Sequence, residues 1–230
     1  MADKKAVQDQ DNNDVVIAKA KDFWTRYSKP IMIVSVILIL AIGGYYGYKE
    51  FVVKPRQLKA VEAIFKAEEY FGMDSIAKAV NGDGQNWGFA RVADNYGNTK
   101  IGNTAALYAG ACYIKLNENE KAVKYLKKFS SDSKLYQARA YKLLGDAYAD
   151  LGKNEDALDY YKKAAHHFEK DETISAEALF MAAYLADKKM KNTKEAIALY
   201  KELKQKYPNT AQSIDAENYL AQLGVYTTDN

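Results

Sequence analysis

Apolar residues are distributed in two ways along this chain. Residues 31–48 contain no charged side chain, and apolar residues occupy every side of a helix drawn through them. Beyond this segment, apolar positions recur every three or four residues among polar ones, which is typical of amphipathic helices. The pattern therefore predicts an all-α protein in which one uniformly apolar helix precedes a series of amphipathic helices.

The apolar segment has the length of a membrane span. Eighteen helical residues extend about 27 Å, close to the ~30 Å hydrocarbon core of a bilayer. Tyr45, Tyr46 and Tyr48 lie at one end, where amphipathic rings favour the membrane–water interface. We therefore predict a single transmembrane helix over residues 30–49. A cleaved signal peptide is the alternative, although the preceding tail is long and mixed in charge and residues 41–43 are a poor cleavage site.

Charges beside the apolar segment leave its orientation open. Lysine and arginine occur four times before it, at Lys19, Lys21, Arg26 and Lys29, and four times after it, at Lys49, Lys54, Arg56 and Lys59. The positive-inside rule needs an excess on one side. Residues 1–29 thus form a short polar tail whose side of the membrane the charges do not fix.

From residue 103 the chain repeats itself with a period of about 35 residues. Gly110, Tyr113 and Ala122 recur as Gly145, Tyr148 and Ala157. The small residues suit places where two helices approach closely, and the aromatic residues suit the space between successive helix pairs. These positions resemble the tetratricopeptide repeat. The signature residues are Gly110, Tyr113, Ala122, Tyr141, Leu144, Gly145, Tyr148, Ala157, Tyr161, Ala196, Tyr200 and Pro208.

The third unit is less regular. Tyr184 stands where the pattern has glycine, and Asp187 stands where it has tyrosine. The spare residues of this unit are expected in the loop at 169–175. A terminal helix over 210–223 is expected to cap the last apolar face, as solenoids require.

The resulting domain plan has four parts. Residues 1–29 are the tail and residues 30–49 the membrane helix. Residues 50–102 are expected to hold a stem helix and a divergent first repeat. Residues 103–225 hold the tetratricopeptide repeats and the capping helix. The predicted fold is therefore an α-solenoid of three to four helix pairs behind one membrane helix.

The repeat resemblance implies a protein-binding groove lined by the first helix of each pair. The matching positions are Leu107, Ala111, Ile114, Arg139, Lys142, Asp146, Met181 and Leu185. Such a surface, mostly apolar with one charged centre, suits an amphipathic helix or an extended hydrophobic segment. The alternative is that these side chains pack on one another or against the N-terminal helices. The sequence does not distinguish between a binding groove and such packing.

Composition and motifs argue against several other functions. The 33 basic and 30 acidic residues nearly balance and form no dense basic patch, so nucleic acid is not an expected partner. The single cysteine, Cys112, excludes an internal disulfide and suits a small buried hydrophobe. His166 and His167 are adjacent and diverge on a helix. We predict no catalytic residue, cofactor or metal site, and no enzyme.

The whole layout resembles the ancillary Sec-translocon subunits, the YfgM-like proteins. In that family the tail is cytoplasmic, and the repeats lie in the periplasm beside a membrane-anchored peptidyl-prolyl isomerase chaperone. The resemblance implies a single-pass protein of the bacterial inner membrane that assists secreted client chains leaving the SecYEG channel. Two other functions fit the sequence: a scaffold in cell-envelope or outer-membrane assembly, and a cytosol-facing anchored receptor that resembles mitochondrial import receptors.

Overall fold

The structure, a computed structural model, is helical throughout the part of the chain that it describes. It covers residues 2–226, with residues 2–16, 19 and 20 described as backbone only. Within this range there is no strand, and the extended pairing consists of one isolated bridge between Gly82 and Trp87. The predicted all-α class is confirmed. The chain divides into two compact units, Met1–Pro55 and Arg56–Asn230.

The first unit consists mainly of one long helix, α1. It runs over Ala2–Tyr48 and is followed by a π-helical segment, Lys49–Val53. In that segment hydrogen bonds reach back five residues, and the Lys54 amide donates to the Lys49 carbonyl. The apolar residues of the helix are not buried within the structure. Within the described residues, this helix is long and apolar enough to cross a membrane, which fits an anchored protein.

Ten shorter helices follow α1. They are α2 (Lys54–Gly72), α3 (Ile76–Asn81), α4 (Phe89–Tyr96), α5 (Lys100–Lys115), α6 (Asn119–Leu126), α7 (Lys134–Asp150), α8 (Asn154–His167), α9 (Glu172–Lys188), α10 (Thr193–Lys206) and α11 (Ala211–Gln222). The last of them coincides with the segment at 210–223 predicted to form the terminal helix.

The helices from α5 onward are stacked in successive pairs. The pairs are α5–α6, α7–α8 and α9–α10, and each second helix also packs on the first helix of the next pair. The first helices α5, α7 and α9 contact one another in order, and α11 packs on both α9 and α10. Such stacking buries one continuous core along the array, which no single pair could bury alone.

Two glycines allow the closest approaches within the pairs. A Cβ atom added at Gly145 would lie 2.5 Å from the Tyr161 ring, and one at Gly110 would overlap the Leu126 side chain. Carbon atoms of different side chains do not approach this closely. The repeat spacing therefore sets glycine of α5 and α7 directly against a bulky residue of α6 and α8.

Helices α2, α5, α7, α9 and α11 are each followed by a residue in the left-handed region. The φ angle is positive at Asp74, Asn117, Gly152, Lys191 and Gly224. After α7 the Lys153 amide donates to the Tyr148 carbonyl at 2.9 Å, and after α2 the Ser75 amide donates to the Tyr70 carbonyl at 2.8 Å. Both are the six-to-one bond of the Schellman motif. Helix α2 thus ends as α7 does, and the divergent first repeat expected within residues 50–102 remains a prediction.

Candidate protein-binding surface

The first helices α5, α7 and α9 form a row in which three clefts open. One cleft lies between α5 and the start of α7, and the other two lie between α7 and α9. The small residues of these helices are buried towards the second helices, so larger side chains remain on the row's surface. We call these clefts the α5 cleft, the central cleft and the α9 cleft.

The α5 cleft has the largest volume of the three, about 470 Å³. Its walls carry the partly exposed rings of Tyr108 and Tyr136, with Leu107 between polar groups. The Asn103 amide holds the neighbouring loop, since it donates to the Ser130 carbonyl at 2.8 Å and accepts from the Ser130 amide at 3.0 Å. This paired bond fixes the loop beside the cleft, which gives the apolar and aromatic wall a set shape.

The central cleft, of about 280 Å³, is charged. It is lined by Arg139, Lys142 and Leu143 of α7 and by Thr173, Ile174 and Glu177 of α9. Lys142 Nζ lies 2.9 Å from Glu177 Oε1 and thus joins the two helices. Polar residues therefore occupy the middle of the row, where the sequence predicts its charged centre.

A second carboxylate completes this charged centre. Asp146 Oδ2 lies 3.1 Å from Lys142 Nζ, and the Tyr161 hydroxyl donates to Asp146 Oδ1 at 2.9 Å. Burial raises the pKa of the Asp146 carboxyl, and the opposing effects of Lys142 and Tyr161 do not cancel this rise. Lys142 thus faces two carboxylates, Asp146 and Glu177, and Arg139 on the same cleft brings the number of cations to two.

The α9 cleft, of about 360 Å³, has a mainly apolar lining, unlike the central cleft. Met181 and Tyr184 form its accessible wall, whereas Leu185 is only 5% exposed and lies at its base. Ala149 of α7 and Tyr161 of α8 complete the apolar part. The row thus runs from an aromatic cleft through a charged one to a second apolar cleft.

The structure brings together most, but not all, of the residues predicted for the groove. Leu107 lines the α5 cleft, Arg139 and Lys142 line the central cleft, Asp146 binds Lys142, and Met181 and Leu185 line the α9 cleft. The remaining two, Ala111 and Ile114, are partly buried on α5 and line none of these three clefts. Their role in binding remains a prediction.

Most repeat-signature residues lie in the core, and only Tyr161 also lines one of the clefts. Those that are buried are Gly110, Tyr113, Ala122, Leu144, Gly145, Tyr148, Ala157, Tyr161, Ala196 and Tyr200. Tyr141 is partly buried and its ring meets those of Tyr160 and His167, while Pro208 is exposed after α10. These residues therefore shape the row by packing its helices.

Sequence reasoning missed the exposed aromatic residues and one acid of the row. Tyr108 precedes the predicted position Ala111 by three residues, and Tyr184 follows the predicted position Met181 by three. Helical spacing could have added these two, because residues three or four apart share a face. Tyr136 and Glu177 also stand three residues before Arg139 and four before Met181. Their roles, however, come from contacts between different helices, which spacing along one helix does not show.

The candidate reactive residues lie in ordinary environments. Cys112 is fully buried on α5, and burial raises the pKa of its thiol to about 11. His166 Nδ1 lies 3.2 Å from Glu169 Oε1 at the surface. No cluster of three or more His, Cys, Asp or Glu side chains that could hold a metal occurs among the residues whose side chains the structure describes.

Comparison with known families agrees with the helical pattern. Residues 21–134 match a family described as a tetratricopeptide repeat-like domain, and residues 138–165 and 177–210 each match a tetratricopeptide repeat family. No curated protein matches the chain. The predicted repeats are confirmed: the chain carries tetratricopeptide-type repeat domains, and its first family match also includes the apolar helix.

Proposed function

We propose that this protein is a membrane-anchored binding module that holds an apolar or amphipathic segment of another protein. The observation that carries the proposal is the row of clefts along α5, α7 and α9, with exposed tyrosine rings and Met181 on either side of a charged centre. Apolar side chains of a bound segment would enter the two outer clefts, while its polar or charged residues would meet the charged centre. Repeats of this type are typically non-enzymatic scaffolds, and no catalytic role is assigned.

The partners in this proposal are those of the Sec translocon. The repeats would stand on the periplasmic side of the bacterial inner membrane, beside SecYEG and a membrane-anchored peptidyl-prolyl isomerase chaperone. Secreted client chains emerge there unfolded and expose apolar segments. Support comes from the layout, since one family match covers the apolar helix and the first repeat helices together.

Site-specific photo-crosslinking in cells tests the binding surface. A photoreactive amino acid would replace Leu107 or Met181 in the full-length protein, with Lys163, exposed on α8, as the control position. We expect secreted precursors and SecYEG to be captured from the two cleft positions and not from the control. Equal capture from all three positions would contradict binding in the clefts. Capture of envelope-assembly proteins instead of translocon components would favour the scaffold function.

Topology is tested separately. Reporter domains fused after Asn230 and before Met1 would each be active in only one compartment. We expect a periplasmic C-terminus and a cytoplasmic N-terminus. A cytosolic C-terminus would rule out the translocon function and favour an anchored receptor, while leaving the clefts themselves intact.

A further inference from the structure

Helix α2 carries an apolar stripe on the side that the core does not cover. Leu58, Val61 and Phe65 are 68%, 48% and 62% exposed. They are spaced by three and four residues, so they lie on one face of the helix. The core-facing positions Ala60 and Ile64 are buried on another side. Helix α2 is therefore apolar on two faces, of which its own domain uses one.

This stripe is different from the scattered apolar residues of an ordinary surface. Single exposed apolar side chains are normal, whereas contiguous ones mark interaction sites. A helix needs only one apolar face to pack on its own domain, which α2 has in Ala60, Ile64 and Ala67. Leu58, Val61 and Phe65 thus form a second face for which the repeats supply no packing function. We call these three residues the α2 stripe.

Acidic residues border the α2 stripe on both sides. Glu62 follows Leu58 by four residues and precedes Phe65 by three, while Glu68 follows Phe65 by three on the other border. Glu69 is paired with Lys66 at 2.7 Å. Within the described side chains, neither Glu62 nor Glu68 has an ion-pair partner. The stripe is therefore an apolar surface between two glutamates that make no ion pair, one of which, Glu62, has Lys59 three residues before it.

We propose that the α2 stripe docks an amphipathic helix of a partner protein whose apolar face is bordered by lysine or arginine. Apolar side chains of that helix would pack between Leu58, Val61 and Phe65, as ridges pack into grooves. Its basic residues would lie beside Glu62 and Glu68, where opposite charges select the partner and its register. This surface is on α2, apart from the row of clefts, so it does not depend on the function proposed for that row.

The same charges disfavour two other occupants. In a parallel pair of two copies, Leu58, Val61, Phe65 and Glu68 would occupy successive seam positions, which sets Glu68 against Glu68 of the second copy. In an antiparallel pair that buries the same residues, Glu62 would lie beside its own counterpart. An anionic membrane surface would likewise repel both glutamates.

The test uses the full-length protein in phosphatidylcholine nanodiscs and two designed fluorescent peptides. Both peptides form a helix with a leucine stripe, bordered by lysine in one and by glutamate in the other. Binding is measured by fluorescence anisotropy for the wild type, for Phe65→Ser, for the double variant Glu62→Lys with Glu68→Lys, and for Ile214→Ser. Ile214 is the matched control because it is 65% exposed on α11.

We expect the lysine-bordered peptide to bind the wild type about tenfold more tightly than the glutamate-bordered one. Phe65→Ser should weaken that binding about tenfold, whereas Ile214→Ser should leave it unchanged. The double charge variant should reverse the preference between the two peptides. Because all four positions are exposed, circular dichroism should show unchanged helix content in every variant.

Several results would overturn the proposal. Equal binding of the two peptides, or equal binding to the wild type and Phe65→Ser, would show that the stripe does not select a basic helix. Self-association in sedimentation that Phe65→Ser abolishes would assign the stripe to a second copy. Quenching of a fluorescent probe attached to Val61→Cys by spin-labelled phosphatidylglycerol in the nanodisc would assign it to the membrane surface.

Discussion

The second and third helix pairs share a repeat spacing but achieve close packing differently. In the second pair, Gly145 of α7 lets the Tyr161 ring of α8 lie against the α7 backbone. In the third pair the 39-residue spacing predicts Tyr184 at this position, but α7 and α9 align with an offset of 38 residues. The structure therefore sets the fully buried Ala183 in the place of Gly145 and leaves Tyr184 36% exposed. The small buried residues of α9 are its neighbours Ala182 and Ala183. A common spacing therefore selects which helices pair, but the small residues available decide which helix face makes the contact.

The two pairs also differ in the hydrogen bonding of a buried tyrosine. The hydroxyl of Tyr161 donates to Asp146, whereas the hydroxyl of Tyr200, fully buried at the matching place in α10, has no hydrogen-bond partner within the described residues. The helix alignment explains the difference, because Tyr184, and not an acid, stands in α9 where α7 has Asp146. An acid in the row of clefts thus also satisfies a core tyrosine, and only in the second pair.

The largest expected effect comes from filling the close approach of the second pair. Gly145→Val should lower the free energy of unfolding by about 3 kcal/mol, because its side chain would overlap the Tyr161 ring. Tyr184→Val, at the position to which the repeat spacing assigns glycine in the third pair, should change it by less than ~1 kcal/mol because the side chain is exposed. Urea unfolding of the full-length protein in detergent, followed by circular dichroism, measures both. Equal losses would mean that the two pairs pack alike.

The next effect comes from removing the cation of the central cleft. Lys142→Met should cost about 2 kcal/mol, since it leaves Asp146 and Glu177 without their ion-pair partner in a partly buried site. The loss should shrink as the pH is lowered, because protonation of Asp146, whose pKa is already raised, removes the unpaired charge.

A cation in the third pair supplies the control for this prediction. Lys206 also faces two carboxylates, Glu169 at 2.7 Å and Glu202 at 3.0 Å, but at a more exposed site. Lys206→Met should therefore cost less than ~1 kcal/mol. If the two lysine variants lose the same stability at neutral pH, burial does not distinguish the two sites.

A smaller effect should separate the two buried tyrosines. Tyr161→Phe should cost about 1 kcal/mol because Asp146 loses a hydrogen bond, while Tyr200→Phe should be neutral or slightly stabilising because it removes an unsatisfied hydroxyl. Thermal unfolding of both variants, each compared with the wild type, measures the difference. A destabilised Tyr200→Phe would indicate that this hydroxyl has a partner, such as a buried water.

The smallest effects are expected at the turns that end α7 and α9. Gly152 has φ of 70° and Lys191 has φ of 56°. Gly152→Ala should cost about 1 kcal/mol, because a side chain is strained in this left-handed region. Lys191→Gly should stabilise the protein by about 0.5 kcal/mol, because glycine is the preferred residue there. Urea unfolding measures whether the two variants change the free energy of unfolding in opposite directions. Changes in the same direction would show that the φ angle does not determine the effect of these substitutions.

Local patterns in the sequence were enough to predict the helices, the apolar span and the repeats. The period from Gly110 to Gly145 and the uncharged residues 31–48 are short-range features, and the structure has helices at both places. Six of the eight predicted groove residues line or support the clefts, because a face of one helix can be read from its spacing. The functional role of all eight remains a prediction.

The tertiary structure decided what those helix faces meet. Tyr136 lines the α5 cleft and Glu177 binds Lys142 only because helices distant in sequence lie side by side. The exposed position of Tyr184 and the α2 stripe have the same cause. Amphipathic spacing shows that a helix has an apolar face, but only packing determines whether a neighbour covers it. The sequence by itself therefore determined the helices and their order in repeats, and the folded core decided which of their side chains remain available for binding.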